Sequence, residues 1–110
     1  NDQMKVDIRE NDNDYVVEAE LPGVKKDEIN VELRDDRLTI AVQREDHNEE
    51  EDKDKNYIRR ERRYSSMSRS FYVNDIKPED VKAEFKNGVL TLTLPKAEEQ
   101  KKRDHRIQIN

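Results

Sequence analysis

The stretch AEFKNGVLTLTLP, residues Ala83–Pro95, alternates apolar and polar residues on both sides of an Asn-Gly pair. Apolar residues at every second position are typical of a half-buried β-strand, because successive side chains of a strand point to opposite faces. Asn87 and Gly88 tolerate the positive φ angles that a two-residue type I′ turn requires. The stretch therefore predicts a β-hairpin whose second strand ends at Pro95.

The same period of two recurs along much of the remaining chain. It predicts five more strands, separated by turn residues such as Asn11–Asp14 and Asp35–Asp36. We find no convincing amphipathic helix, so the chain is expected to be all-β and to fold as a β-sandwich. The apolar positions of the five strands are Met4, Val6, Ile8; Tyr15, Val17, Ala19, Leu21; Ile29, Val31, Leu33; Leu38, Ile40, Val42; and Met67, Phe71, Val73.

Length and composition limit the size of the core and the classes of partner. The chain has 110 residues, enough for one domain, and only 31% are apolar whereas 45% are charged. Stabilisation by association is therefore plausible. A net charge of −5 argues against nucleic acid as the main partner. The absence of cysteine is compatible with the reducing cytoplasm, and no apolar run is long enough for a signal peptide or a membrane span.

Two polar segments interrupt the strand pattern. Residues 45–56, EDHNEEEDKDKN, contain no apolar residue and are predicted to form an exposed loop. Residues 96–106 are similarly polar and are predicted to form a flexible tether, after which Ile107 and Ile109 follow. In an extended chain these two isoleucines point the same way, so they can fill two adjacent pockets or add along a sheet edge. A last strand of the same sandwich and a frayed terminus are the alternatives.

The sequence offers no catalytic constellation. His47 and His105 lie in the two polar segments, where no strand holds a nucleophile or an orienting group beside them. Only Gly23 and Gly88 are present, so no glycine-rich phosphate loop exists. The NDND run at Asn11–Asp14 lacks the glycine of a calcium loop and is better explained as a polar turn. We therefore expect no enzymatic activity, no cofactor and no metal.

Arg69 occupies an unusual position for a charged residue. By strand parity it shares a face with Met67, Phe71 and Val73. An arginine on an apolar face needs a carboxylate or several carbonyl oxygens as partners, unless its stem lets the head reach water at the rim. Either arrangement gives Arg69 a structural role.

Four motifs of the chain resemble those of one family. They are AEFKNGVL at residues 83–90, ELPGV at 20–24, YSSMSRSFYV at 64–73 and the Ile-x-Ile at the end. The first is similar to the A-x-x-x-N-G-V-L signature of the small heat shock proteins, also called the Hsp20 or α-crystallin family. The third is similar to the family's R-x-F strand. The resemblance covers roughly residues 4–95 and the tail.

The resemblance implies an immunoglobulin-like sandwich, the α-crystallin domain, at residues 1–95 and a C-terminal extension at 96–110. Bacterial, archaeal and plant members of the family dimerise by exchanging a strand that projects on a long loop. Residues 45–62 are expected to provide that loop and strand, which would lie against the first strand of the partner and not pair locally. The implied dimer-interface residues are Asn56, Tyr57, Ile58, Arg59, Arg60, Glu61, Arg62 and Arg69.

In this family the tail motif docks in a groove between two edge strands of a neighbouring dimer. The matching groove residues are Val31, Leu33, Val81 and Ala83, and the tail residues are Ile107 and Ile109. Family members also carry a long apolar arm before the domain. Only three residues precede Met4, so we expect a trimmed or unusually short chain.

The resemblance implies an ATP-independent holdase chaperone, which binds partly unfolded proteins under stress and prevents their aggregation. Its expected partners are other copies of itself and unfolding client proteins, with neither nucleic acid nor a membrane. The alternative is a co-chaperone or adaptor module of the p23-like sandwich type, which would bind one folded partner as a monomer. The charged segment before residue 62 and the tail motif favour the first class.

Overall fold

The structure, a computed structural model, describes residues 4–52 and 57–98, with the backbone alone for 46–52 and 57–63. Seven strands follow one another along the chain, as the sequence predicts. Two single-turn 3₁₀ helices, Lys26–Glu28 and Pro78–Asp80, precede the third and sixth strands. The strands are β1 Lys5–Glu10, β2 Asp14–Glu20, β3 Ile29–Arg34, β4 Arg37–Asp52, β5 Tyr57–Tyr72, β6 Lys82–Lys86 and β7 Val89–Pro95.

The strands form two antiparallel sheets, which confirms the all-β sandwich. One sheet has four strands in the order β1-β2-β7-β6, and the other has three in the order β3-β4-β5. The edge strands among the described residues are thus β1 and β6 in the first sheet, and β3 and β5 in the second.

The core lies between the two sheets and is built by the predicted alternation. The strand residues Val17, Leu38, Ile40, Leu92 and Leu94 are fully or almost fully buried. The intervening residues of the same strands face outward, because strand parity leaves them on the other face. The remaining buried apolar residues are Met4, Ala19, Leu21, Val24, Val42, Val73, Ile76 and Leu90. Met4, Leu21 and Val73 directly flank strands and continue their alternation, whereas Val24 and Ile76 lie farther from the strand ends, where alternation gives no signal.

Two tight turns fix the register of the hairpins. Asp35 and Asp36 have φ angles of 52° and 62°, and Asn87 and Gly88 have φ angles of 52° and 76°. Positive φ at both central residues is the property of the type I′ turn, whose twist matches that of the flanking strands. Both turns predicted from the sequence are therefore confirmed, and each places the strand alternation on the intended face.

The prediction of an exposed loop at residues 45–56 is wrong for most of that segment. Residues 45–52 continue β4 and pair in antiparallel register with residues 57–64 of β5, as in Asp52 opposite Tyr57. The expectation that the strand after the loop would not pair locally is therefore also wrong within this chain. Because β3 pairs with β4 only as far as Val42, the rest of β4 and its partner residues form a two-stranded ribbon.

Candidate interaction surfaces

The first open side of the sandwich lies at the edge strands β1 and β5. These two edges are neighbours, because Nη1 of Arg69 in β5 donates a hydrogen bond to the carbonyl oxygen of Met4 at 3.0 Å. Val6 is half-buried and Ile8 is 43% exposed, although both point toward the core side of β1. This side therefore combines two strand edges that carry backbone hydrogen-bonding groups with apolar side chains that the chain covers only in part.

Arg69 has a carbonyl oxygen as its partner and also reaches the exposed rim, so it combines the two arrangements that the sequence leaves open. Its register opposite the buried Ile40 confirms that it lies on the core-facing side of β5. The residue is nevertheless exposed, because β5 is an edge strand and the side chain reaches the rim. Its acceptor is a backbone carbonyl, and the guanidinium carbon lies 5.3 Å from the centroid of the Phe71 ring. Arg69 thus links β5 to the beginning of β1.

The other residues predicted for a dimer interface are described only by their backbone, or not at all. Residues 57–62 form the beginning of β5 and pair with residues 47–52 of β4. Their second edge faces no other strand of the described part of the chain. Asn56 lies outside the described residues. The segment is thus a strand with one edge available for pairing, at the end of the ribbon.

The second open side of the sandwich lies at the edge strands β3 and β6. They are on the same side because β3 contacts the 3₁₀ turn Pro78–Asp80, which leads into β6. Ile29, Val31 and Leu33 of β3 are half-buried and pack against the core with part of their surface open. Near β6, Val81 and Phe85 are half-buried, and Ala83 is exposed. Apolar side chains therefore line both strands at this side.

Of the four residues predicted for a tail groove, the structure brings all to the β3/β6 side. Val31 and Leu33 face Ile40 and Leu38 across the β3/β4 ladder, so their inner surface belongs to the core. Only the outer part of each side chain is available to a ligand. Phe85 is not among the four predicted groove residues, but it lies on the same face of β6 as Ala83, two residues further along the strand. The tail residues Ile107 and Ile109 lie outside the described residues, as does His105.

Lys96, the first residue of the predicted C-terminal extension, has an environment that the sequence analysis did not predict. Lys96 follows β7 directly and is only 5% exposed. Its ammonium donates to Oε2 of Glu10 at 2.7 Å and lies 5.1 Å from the centroid of the Tyr15 ring. Strand parity contained the signal, because Lys96 continues the inward series of Leu90, Leu92 and Leu94. Its charge led to its assignment to the polar tether instead.

The described residues contain neither a metal-binding cluster nor a membrane-spanning helix. Among the residues whose side chains the structure describes, 4–45 and 64–98, no group of three or more histidine, aspartate and glutamate side chains is arranged to hold a metal ion. The NDND turn is closed internally: Nδ2 of Asn11 donates to Oδ1 of Asp14 at 2.7 Å. In the same part of the chain, no helix has the length and apolar character needed to cross a membrane.

Comparison with known proteins agrees with this architecture. The family model described as the Hsp20/alpha crystallin family matches residues 7–110. An 18 kDa heat shock protein of Clostridium acetobutylicum is 46% identical over 107 residues, which are 97% of this chain and 71% of that protein. A probable Hsp20 family chaperone of Onion yellows phytoplasma is 39% identical over 111 residues, covering 100% of this chain and 80% of that protein.

A solved structure of similar shape is that of heat shock protein 16.0 from Schizosaccharomyces pombe. It has a TM-score of 0.67 and 33% sequence identity, and the match covers 98% of this chain and 96% of that one. The rat alpha crystallin domain, at 13% identity and a TM-score of 0.60 over 96% of this chain and 97% of that one, shares the fold. Relatives with heat shock names thus span bacteria, plants and yeast.

Proposed function

The chain belongs to the Hsp20/alpha crystallin family and is a small heat shock chaperone, and on that premise we propose that it is an ATP-independent holdase. It binds partly unfolded proteins through apolar surface at the sheet edges and keeps them from aggregating. Binding uses surface burial and backbone pairing alone, so no catalytic reaction and no cofactor are needed.

The observation that carries this proposal is the pair of open sandwich sides. Exposed peptide segments of an unfolding protein offer free backbone groups and apolar side chains at every second position. A strand edge lined with half-buried Val31 and Leu33, or with Val6 and Ile8, offers complementary groups. Each contact is individually weak because ordering the segment offsets much of the gain. Reversible binding of many different segments is the expected result.

Self-association is the second part of the proposal. We infer that residues 57–62 of one protomer lie against β1 of the next, together with Arg69. Both strands have one edge without a partner among the described residues, so such pairing leaves the β4/β5 register within each chain intact. Two-fold symmetry would bury Ile8 of both protomers at the same interface.

Higher assembly is proposed to use the tail motif. We infer that Ile107 and Ile109 dock at the β3/β6 side of a neighbouring dimer, against the open surfaces of Val31, Leu33, Val81 and Ala83. Burying two isoleucines contributes at most about 3–6 kcal/mol before ordering costs, so a single contact is short-lived. Several such contacts in one particle make assembly durable and still allow subunits to exchange.

The cellular setting follows from composition and family. We propose that the protein works in the cytoplasm, since it contains no cysteine and its function requires contact with unfolding cellular proteins. The net charge of −5 disfavours a role on nucleic acid or on anionic membranes. A p23-like adaptor is the weaker alternative, because the relatives carry heat shock and Hsp20 chaperone names.

Aggregation of a heat-labile enzyme tests the holdase function. Light scattering at the enzyme's unfolding temperature should fall as the 110-residue chain is added, and equally with and without ATP. Bovine serum albumin at the same mass concentration is the control for non-specific crowding. Unchanged scattering at a severalfold excess of the chain would refute the holdase proposal.

A second experiment tests the assembly role of the tail. The variant Ile107→Ala with Ile109→Ala should shift particle mass in native mass spectrometry toward the dimer. Gln108→Ala is the matched control, because residue 108 points to the opposite side of an extended strand. Equal particle masses for the wild type and the isoleucine variant would rule out tail docking.

A further inference from the structure

Lys96 attaches the first residue of the C-terminal extension to the β1–β2 hairpin. Its side chain is only 2% exposed, and its ammonium is bonded to Glu10 of β1 at 2.7 Å. The same ammonium lies 5.1 Å from the centroid of the Tyr15 ring in β2. The backbone N–H of Lys96 donates to the carbonyl oxygen of Asn13 in the connecting turn at 2.8 Å. We call Lys96, Glu10 and Tyr15 the extension anchor.

The energetics of the extension anchor indicate a role other than domain stability. The Glu10 side chain is 54% exposed, so the cost of removing charge from water falls mainly on the buried ammonium. An ion pair that buries a charge commonly does no better than apolar residues of the same size. A methionine at position 96 would fill a similar volume in the core, and its burial would not require a charge to be removed from water. What a charge adds is direction, because the ammonium requires an acceptor at one particular place. At this place it fixes the residue at which the extension leaves the sandwich.

We propose that the extension anchor sets the direction in which the C-terminal extension departs and thereby regulates tail-mediated assembly, an inference that rests on the proposed docking of Ile107 and Ile109. A fixed departure direction limits the positions that a short tether can reach, which raises the effective concentration of the tail at a correctly placed groove. Release of the anchor lets the tail reach many positions with lower occupancy of each. Assembly then becomes more heterogeneous and exchanges faster.

The charged groups around the anchor determine which substitution is decisive. A cleft of about 330 Å³ borders Lys96, and the carboxylates of Asp75, Asp80 and Glu98 line it together with Lys77. Loss of the Glu10 charge alone would leave the ammonium beside a cleft that other carboxylates line, so its effect should be the smaller one. Substitution of Lys96 itself removes the directing charge regardless of which acceptor it uses, so Lys96→Met is the principal variant.

Hydrogen exchange measures the anchor directly. In Lys96→Met, the amide at position 96, corrected for its intrinsic rate, should exchange about tenfold faster than in the wild type, while the amides of Leu92 and Leu94 keep their rates. Lys77→Met is the matched control, because it removes the same charge from another residue that lines the cleft. It should leave all three amides unchanged. An unchanged amide at position 96 would overturn the anchor.

Subunit exchange measures the consequence for assembly. Native mass spectrometry of mixed isotopically light and heavy protein should show subunits of Lys96→Met exchanging severalfold faster, in a broader range of particle masses, than wild type or Lys77→Met. Faster amide exchange with an unchanged exchange rate and mass distribution would overturn the regulatory role. If Ile107→Ala with Ile109→Ala leaves particle mass unchanged, tail docking and its regulation both fail, whereas the amide measurement still reports on the anchor.

A second variant distinguishes loss of the anchor from misfolding of Lys96→Met. Glu10→Gln keeps the contact between the Lys96 ammonium and the Tyr15 ring, so it should change both readouts in the same direction but less. Its control is Glu18→Gln, since Glu18 forms an exposed ion pair with Arg9 at 3.0 Å on the outer face of the same hairpin. Equal behaviour of the two glutamine variants would contradict the proposal.

Discussion

Ile8 provides a quantitative test of the dimer interface at the β1/β5 side. The side chain is 43% exposed in the single chain, although its register opposite Val17 turns it toward the core side. Burying an isoleucine completely contributes about 1.5–3 kcal/mol, so covering its exposed part contributes roughly 1 kcal/mol. A two-fold interface covers Ile8 twice and gains about 2 kcal/mol. Ile8→Ala should therefore weaken the dimer by about ten- to thirtyfold in Kd.

The measurement requires a background in which only dimers and monomers are present. Sedimentation velocity over a dilution series, with Ile107 and Ile109 both replaced by alanine, gives the dimer Kd without higher assemblies. Tyr72→Ser is the matched control, because Tyr72 is 81% exposed on the outer face of β5 and its loss should leave the Kd unchanged. If Ile8→Ala dissociates no more readily than this control, the reasoning from exposed area is refuted and β1 is not covered in the dimer.

Three further predictions concern the fold that presents these surfaces. Leu92→Ala should lower the free energy of unfolding in urea by about 2–5 kcal/mol, because the residue is fully buried, whereas Thr93→Ala on the outer face should cost well under 1 kcal/mol. Asn87→Ala should cost roughly 1 kcal/mol in the same assay, since its φ of 52° is unfavourable for alanine, and Asp12→Ala, in the exposed β1–β2 turn, should not. Arg69→Met removes the hydrogen bond to the Met4 carbonyl, so hydrogen exchange of the amides at the start of β1 should become faster while that of the β7 amides is unchanged. If the β1 amides of this variant are as protected as those of the wild type, the proposed link is contradicted.

Sequence alternation predicts the seven strands well because one face of each is buried against the other sheet. Leu38, Ile40 and Val42 show the principle: all three are at most 1% exposed, and the residues between them face outward. The same principle explains the failure at residues 45–52. Beyond Val42, β3 no longer accompanies β4, so pairing there depends on backbone hydrogen bonds between two strands. The hydropathy pattern of a sequence gives no signal for such backbone hydrogen bonds.

The candidate surfaces were predictable only in part, because a site at a sheet edge depends on which strands become edges. Alternation identified Val31 and Leu33 as core residues, but their partial exposure follows from the position of β3 at the border of its sheet. The groove assignment came from resemblance to a family and not from periodicity. Lys96 was missed for a related reason: its parity pointed inward, but its charge argued against burial, and contacts with Glu10 and the Tyr15 ring make a buried ammonium tolerable there.

Charge placement explains how a chain with two open apolar sides avoids uncontrolled association. In three of the four edge strands, β1, β3 and β6, the residues that alternate with the apolar ones point away from the core and are almost all charged, which opposes face-to-face stacking of sandwiches. The corresponding residues of β5 are exposed but uncharged: Ser66, Ser68, Ser70 and Tyr72. The apolar residues of the same strands lie on the inner face, where they are reached along the strand edge and not from above. A segment can therefore gain apolar contact mainly by adding in extended form, as a client strand or a tail would. The outward-facing residues are Lys5, Asp7 and Arg9 of β1, Asn30, Glu32 and Arg34 of β3, and Lys82, Glu84 and Lys86 of β6.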